Sequence, residues 1–175
     1  MGIRNILRVL LPIMVVAACS AGCCMKCLKV KDVPATGPAA QIQVGDVLFK
    51  AAVLSNGTPV DIAVKDYCPD GDGVNEIAVP SSQSGGGTGG AGPTYASIDF
   101  PQTAFGDGPR KVTMTACHHN RLELRAYDRY GALVATAAHP GPQHVSKALT
   151  LTGGRISRID IIGAEIGIDE VCYRK

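Results

Sequence analysis

The densest group of ligand-type side chains in this chain is Asp70-Gly71-Asp72-Gly73-Val74-Asn75-Glu76. Asp70, Asp72, Asn75 and Glu76 place four oxygen donors close together, and the two glycines let the backbone bend around a hard cation. Calcium takes about six to eight oxygens, so the string supplies part of a Ca²⁺ site; the other reading is an acidic turn between strands. Histidine offers a second metal chemistry. His118-His119 follows Cys117, with Glu123 nearby, but adjacent histidines in a strand point to opposite faces and rarely grip one ion. The expected setting of His118-His119-Asn120 is a solvated polar turn, and His139 and His144 stand in a loop with Pro140, Gly141 and Pro142, without a visible partner ligand. Catalytic signatures are missing: there is no Gly-x-Ser-x-Gly elbow and no His-Glu-x-x-His, and the glycines at 85–90 lack the lysine of a phosphate loop. The expectation is a protein that is not an enzyme, with Ca²⁺ as the one cofactor the sequence suggests.

Cysteine is the other reactive type, and its placement depends on the N-terminus. Arg4 and Arg8 precede an apolar run, Val9 to Ala18, that stops at Val16-Ala17-Ala18-Cys19. This layout resembles a bacterial lipoprotein signal with its lipobox. The resemblance implies removal of residues 1–18, acylation of Cys19 and a lipid-anchored place in the cell envelope, with Ser20 favouring the outer membrane or cell surface. Ordinary secretion is the alternative. A spanning helix needs about 20 apolar residues, and Pro12 interrupts this run.

With lipid on Cys19, six of the seven cysteines remain to form disulfides. Cys23, Cys24 and Cys27 precede residue 40, and Cys68, Cys117 and Cys172 follow it. Both groups are odd, so complete pairing requires at least one bond between them, while six cysteines permit about 15 connectivities. Loss of Arg4 and Arg8 leaves fifteen basic against fifteen acidic side chains, so no basic field remains to attract nucleic acid.

The elements that must position these residues read as strands. Residues 19–40, rich in Ala, Gly, Pro and Lys and without apolar periodicity, read as a tether. From residue 41 to 175 the pattern is that of one β-domain. Val60, Ile62 and Val64 alternate with Asp61, Ala63 and Lys65 after the Asn56-Gly57 hairpin signal. Leu122, Leu124 and Ala126 alternate with Glu123, Arg125 and Tyr127, and Asp128-Arg129-Tyr130-Gly131 suits a type I turn whose fourth residue is left-handed. Residues 81–93, mostly Ser and Gly, read as a loop inside that domain. No segment has a helical period, so the fold class is all-β, a sandwich.

Three pieces refine that reading: Ser97-Ile98-Asp99-Phe100-Pro101, Leu122 through Gly131, and Ile159 through Tyr173. Their order resembles jelly-roll modules of the galactose-binding-like and carbohydrate-binding-module group, with Ile168-Asp169-Glu170 where the commoner pattern has two aspartates. Asp70 to Glu76 likewise resembles part of a thrombospondin type 3 calcium motif. The resemblance implies a jelly-roll sandwich and a glycan as ligand. Sugar sites stack a ring on an aromatic face and bind hydroxyls with polar side chains; without Trp, the expected residues are Tyr127, Arg129 and Tyr130. The functional expectation is therefore a non-catalytic binding or adhesion module of the envelope. The alternatives are a structural lipoprotein that assembles with another envelope protein, and a small secreted hydrolase.

Overall fold

A computed structural model describes residues 25–54, 56–67, 74–79, 93–118, 121–140 and 146–174. The strands are β1 (Lys26–Lys29), β2 (Thr36–Ala39), β3 (Gln41–Val44), β4 (Val47–Leu54), β5 (Pro59–Val60), β6 (Ile62–Lys65) and β7 (Glu76–Val79), then β8 (Thr94–Asp99), β9 (Lys111–Cys117), β10 (Leu122–Tyr127), β11 (Leu133–His139), β12 (Lys147–Thr152), β13 (Arg158–Gly163) and β14 (Ile166–Arg174). One sheet runs β12-β9-β14-β7-β6-β2, with β1 beside β14; the other runs β11-β10-β13-β8-β4-β3, with β5 beside β4. Within this order β7 pairs with β14, β8 with β13, β9 with β12 and β10 with β11, all antiparallel. That nesting is one long hairpin rolled across two sheets, which is the jelly-roll topology.

Side-chain alternation explains why the sheets close on each other. Leu122, Leu124 and Ala126 of β10, Val112, Met114 and Ala116 of β9, and Ile159 and Ile161 of β13 are buried, while the residues between them face outward. Residues from both sheets form one core. β14 departs from strict alternation because its register against β9 shifts between Ile168 and Glu170. This bulge lets Ile168 and Val171 both face the interior. A four-residue helical turn, α1 (Gln102–Phe105), brings Phe105 against Phe100 and Tyr173, with edge-to-face ring separations of 4.9–6.0 Å.

The expected tether is shorter than its composition indicates. Residues 26–29 pair in register with β14, and Thr36–Ala39 pairs with β6. Leu28, Val30 and Val33 are buried in the core. Single apolar residues among Lys, Pro and Gly carry no period, yet each lands on an inward position because β14 and β6 supply the template. The Gly-rich segment lies, up to residue 92, outside the described residues. The expected turns hold: Gly57 and Gly131 adopt φ of 84° and 81°.

Candidate functional site

The β10–β11 turn is organised by Asp128. Its Oδ1 accepts the backbone N–H groups of Tyr130 (2.8 Å) and Ala132 (2.9 Å), and Gly131 N–H donates to the Asp128 carbonyl. An aspartate that satisfies its own turn in this way fixes the two residues between, Arg129 and Tyr130, at the tip. Tyr130 is 79% exposed, so packing does not account for its position.

Other loops converge on that tip. Arg129 Nη1 donates to Asp107 Oδ1 at 2.9 Å, and Arg155 pairs with the other oxygen of the same carboxylate. Arg129 Nη2 donates to the Tyr130 hydroxyl (2.6 Å), and its guanidinium lies 4.8 Å from the Tyr130 ring centroid. Asp107 comes from the turn after α1, where Gly106 and Gly108 have φ of 60° and 99°. At Gly108 any Cβ would collide with the Ile156 carbonyl oxygen, so only glycine lets these two loops close. Exposed ion pairs contribute little to stability, about 0.2–1 kcal/mol each; their effect here is to hold guanidinium donors and carboxylate acceptors in fixed alternation.

Two clefts meet at this turn. One, of about 400 Å³, is lined by Asp107, Asp128, Arg129, Tyr130, Val134 and Arg155, together with Gly154. The other, about 610 Å³, shares Asp128, Arg129 and Tyr130 and extends over Leu48, Asp99, Tyr127 and Arg158. Arg158 lies 4.7 Å from the Tyr127 ring centroid and is held by Asp160 (2.9 Å), while Lys50 pairs with Asp99. Tyr127, Arg129 and Tyr130, expected from the sequence, therefore lie together. Asp107, Arg155 and Arg158 complete the group and were missed, because they are distant in sequence and only turn signals such as Gly106 to Pro109 mark their loops. No protein-family model matches the chain, and neither does any curated protein.

A third cleft, about 390 Å³, lies farther along the same sheet between Tyr95, Ile162 and Glu123. Glu123 is braced by Arg121 and Arg125, each at 2.6 Å.

The other expected sites are placed differently. Asp70 and Asp72 lie outside the described residues. Asn75 donates its side-chain amide to the Val33 carbonyl (3.1 Å), and Glu76 is 1% exposed, with its carboxylate against Gly167. Cys27, Glu170 and Cys172 are close enough to share an ion, but the two sulfurs are bonded to each other and offer no thiolate. Cys117 is disulfide-bonded as well, and Cys19, Cys23, Cys24 and Cys68 lie outside the described residues.

His118 corrects the expectation of a solvated turn. It is 2% exposed, and its Nε2 lies 3.0 Å from Nδ1 of His139. Burial first, and His139 second, hold its pKa below the ordinary value. The tertiary fold supplies a contact between residues 21 positions apart that local composition does not announce.

Proposed function

We propose that this protein is a non-catalytic glycan-binding module displayed on a bacterial envelope. The observation that carries this reading is the pair of clefts meeting at the Asp128–Gly131 turn, lined by Tyr127, Tyr130, Arg129, Arg155 and Asp107. A pyranose ring presents a C–H face and a rim of hydroxyls that both donate and accept. Tyrosine faces suit the first, and alternating guanidinium and carboxylate groups suit the second. Rigid placement of these groups lowers the ordering cost of binding, which matters for a shallow site.

Display is assigned to acylated Cys19. Cys27 follows it by eight residues and is bonded to Cys172. Such an anchor would keep the sandwich within about 28 Å of the lipid surface, the reach of eight extended residues. Many copies on one surface would raise the avidity of weak single sites.

The test is binding of the purified domain to a panel of envelope and host glycans, followed by Tyr130→Ala, Tyr127→Ala and Arg129→Ala. The expected result is at least a tenfold loss for Tyr130→Ala, with unchanged melting. Absence of binding to every glycan, or binding indifferent to all three changes, refutes the reading. Intact mass of the mature protein from its own envelope tests acylation of Cys19.

A further inference from the structure

His118 and His139 touch at the far end of the β10–β11 hairpin from the proposed glycan site, where β9 of one sheet ends beside the end of β11 of the other. Their ring centroids are 5.2 Å apart and their nearest nitrogens 3.0 Å. The difference is about one ring radius on each side, so the contact runs ring to ring as a straight N–H···N hydrogen bond. Two lone pairs aimed along one line do not converge on a common ion, which favours a shared proton over a metal.

The proton can be placed. Among the described residues, His118 Nδ1 is buried without a partner. A buried lone pair without a partner is tolerated better than a buried N–H without one. His118 therefore carries its proton on Nε2 and donates to Nδ1 of His139. This arrangement has no room for a further proton. Protonation of His139 at Nδ1 sets two N–H groups against each other, unless His118 moves its proton to the partnerless Nδ1.

We propose that the His118–His139 hydrogen bond is a proton-operated latch that joins the two sheets at this rim when both rings are neutral and releases them on acidification. The neighbouring elements carry few competing charges. Among the described residues, register neighbours bring Glu76 of β7, Glu123 of β10 with Arg121 ahead of it, Lys147 of β12 and Asp169 of β14. Glu123 is engaged by Arg121 and Arg125, Asp169 by Ser146, and Glu76 lies against Gly167. Among the described residues, His139 is the one titratable group that bears on His118. His119 and His144 lie outside the described residues.

The sign follows from linkage. Unfolded imidazoles take up a proton near pH 6.5, whereas the latched His118 resists it, so the unfolded chain binds more protons below that pH. The latch holds above about pH 6.5 and weakens as pH falls below it.

Nitrogen-15 NMR of the imidazoles in the whole mature domain, together with amide exchange at His118 and His139 between pH 7.5 and 5.5, tests this. The expected result is a protonated Nε2 and bare Nδ1 on His118 at pH 7.5, and at least a tenfold loss of protection at both amides by pH 5.5. In His139→Gln, whose amide oxygen still accepts from His118, that loss should be at least halved. A protonated Nδ1 on His118 at pH 7.5, or the same loss of protection in the variant, overturns the proposal. Should His139→Gln fail to fold, the tautomer and the wild-type titration decide alone.

Discussion

Cys27 and Cys172 stand directly opposite each other across β1 and β14 and are joined by a disulfide. The bond ties the first described strand to the last across a sequence separation of 145 residues. β1 is only four residues long and sits on a sheet otherwise built from later strands. The cross-link therefore adds to the ladder with β14 and to the burial of Leu28 and Val30 in holding this short strand.

Replacing both cysteines by serine should cost about 3–5 kcal/mol, since a long closed loop is released in the unfolded chain. Denaturant unfolding of the oxidised protein against the double variant measures this. A change below 1 kcal/mol would mean that β1 docks without the bond.

At the same joint, Lys26 Nζ donates to Asp46 Oδ2 at 2.8 Å and lies 5.9 Å from the Tyr173 ring centroid. The hydrogen bond to Asp46 raises the Lys26 amine, and burial, chiefly, raises the Tyr173 phenol above its ordinary 10.0. Both groups keep their protons longer in the folded state, so their contribution is complete below about pH 10 and is lost as pH rises through the folded values. Melting curves from pH 8 to 11.5 should show an alkaline decline that Tyr173→Phe reduces. The Tyr173 hydroxyl is buried beside Lys26, and its removal in Tyr173→Phe should change stability at pH 7 by about 1 kcal/mol or less.

Gly167 should not tolerate alanine. A Cβ there would collide with Glu76 Oε2 and sit 2.9 Å from Cys117 Sγ, in the middle of the β7–β14–β9 sheet. Gly167→Ala is expected to cost about 1–3 kcal/mol. Gly37→Ala, whose added Cβ meets nothing within 4 Å, is the control and should be nearly silent. Equal melting temperatures for the two variants would contradict the packing described at Glu76.

Asp128 couples the turn to the proposed site. Asp128→Ala removes the acceptor of two backbone N–H groups and should cost about 1–2 kcal/mol while also weakening glycan binding. Asp128→Asn keeps an acceptor oxygen and should retain most of both. If the alanine variant binds normally, the turn does not set the position of Arg129 and Tyr130.

The sequence determined those features whose cause is local. Period-two apolar patterning in residues 122–127 established a strand and its buried face. Asn56-Gly57 and Asp128 to Gly131 specified turns that only particular residues can make. Cysteine parity, given an acylated Cys19, required a bond between the early and late parts of the chain if pairing is complete, and Cys27–Cys172 is such a bond. Tertiary structure decided what depends on partners far along the chain. Lys26 to Lys29 and Thr36 to Ala39 lack a pattern of their own and become strands because β14 and β6 offer free edges. Asp107, Arg155 and Arg158 join Tyr130 only when separate loops meet at one end of the sandwich. His118, polar and next to a turn, is buried because the end of β11 brings His139 over it. Backbone propensity and periodicity act over a few residues, whereas burial and hydrogen-bond partners are properties of the closed sandwich.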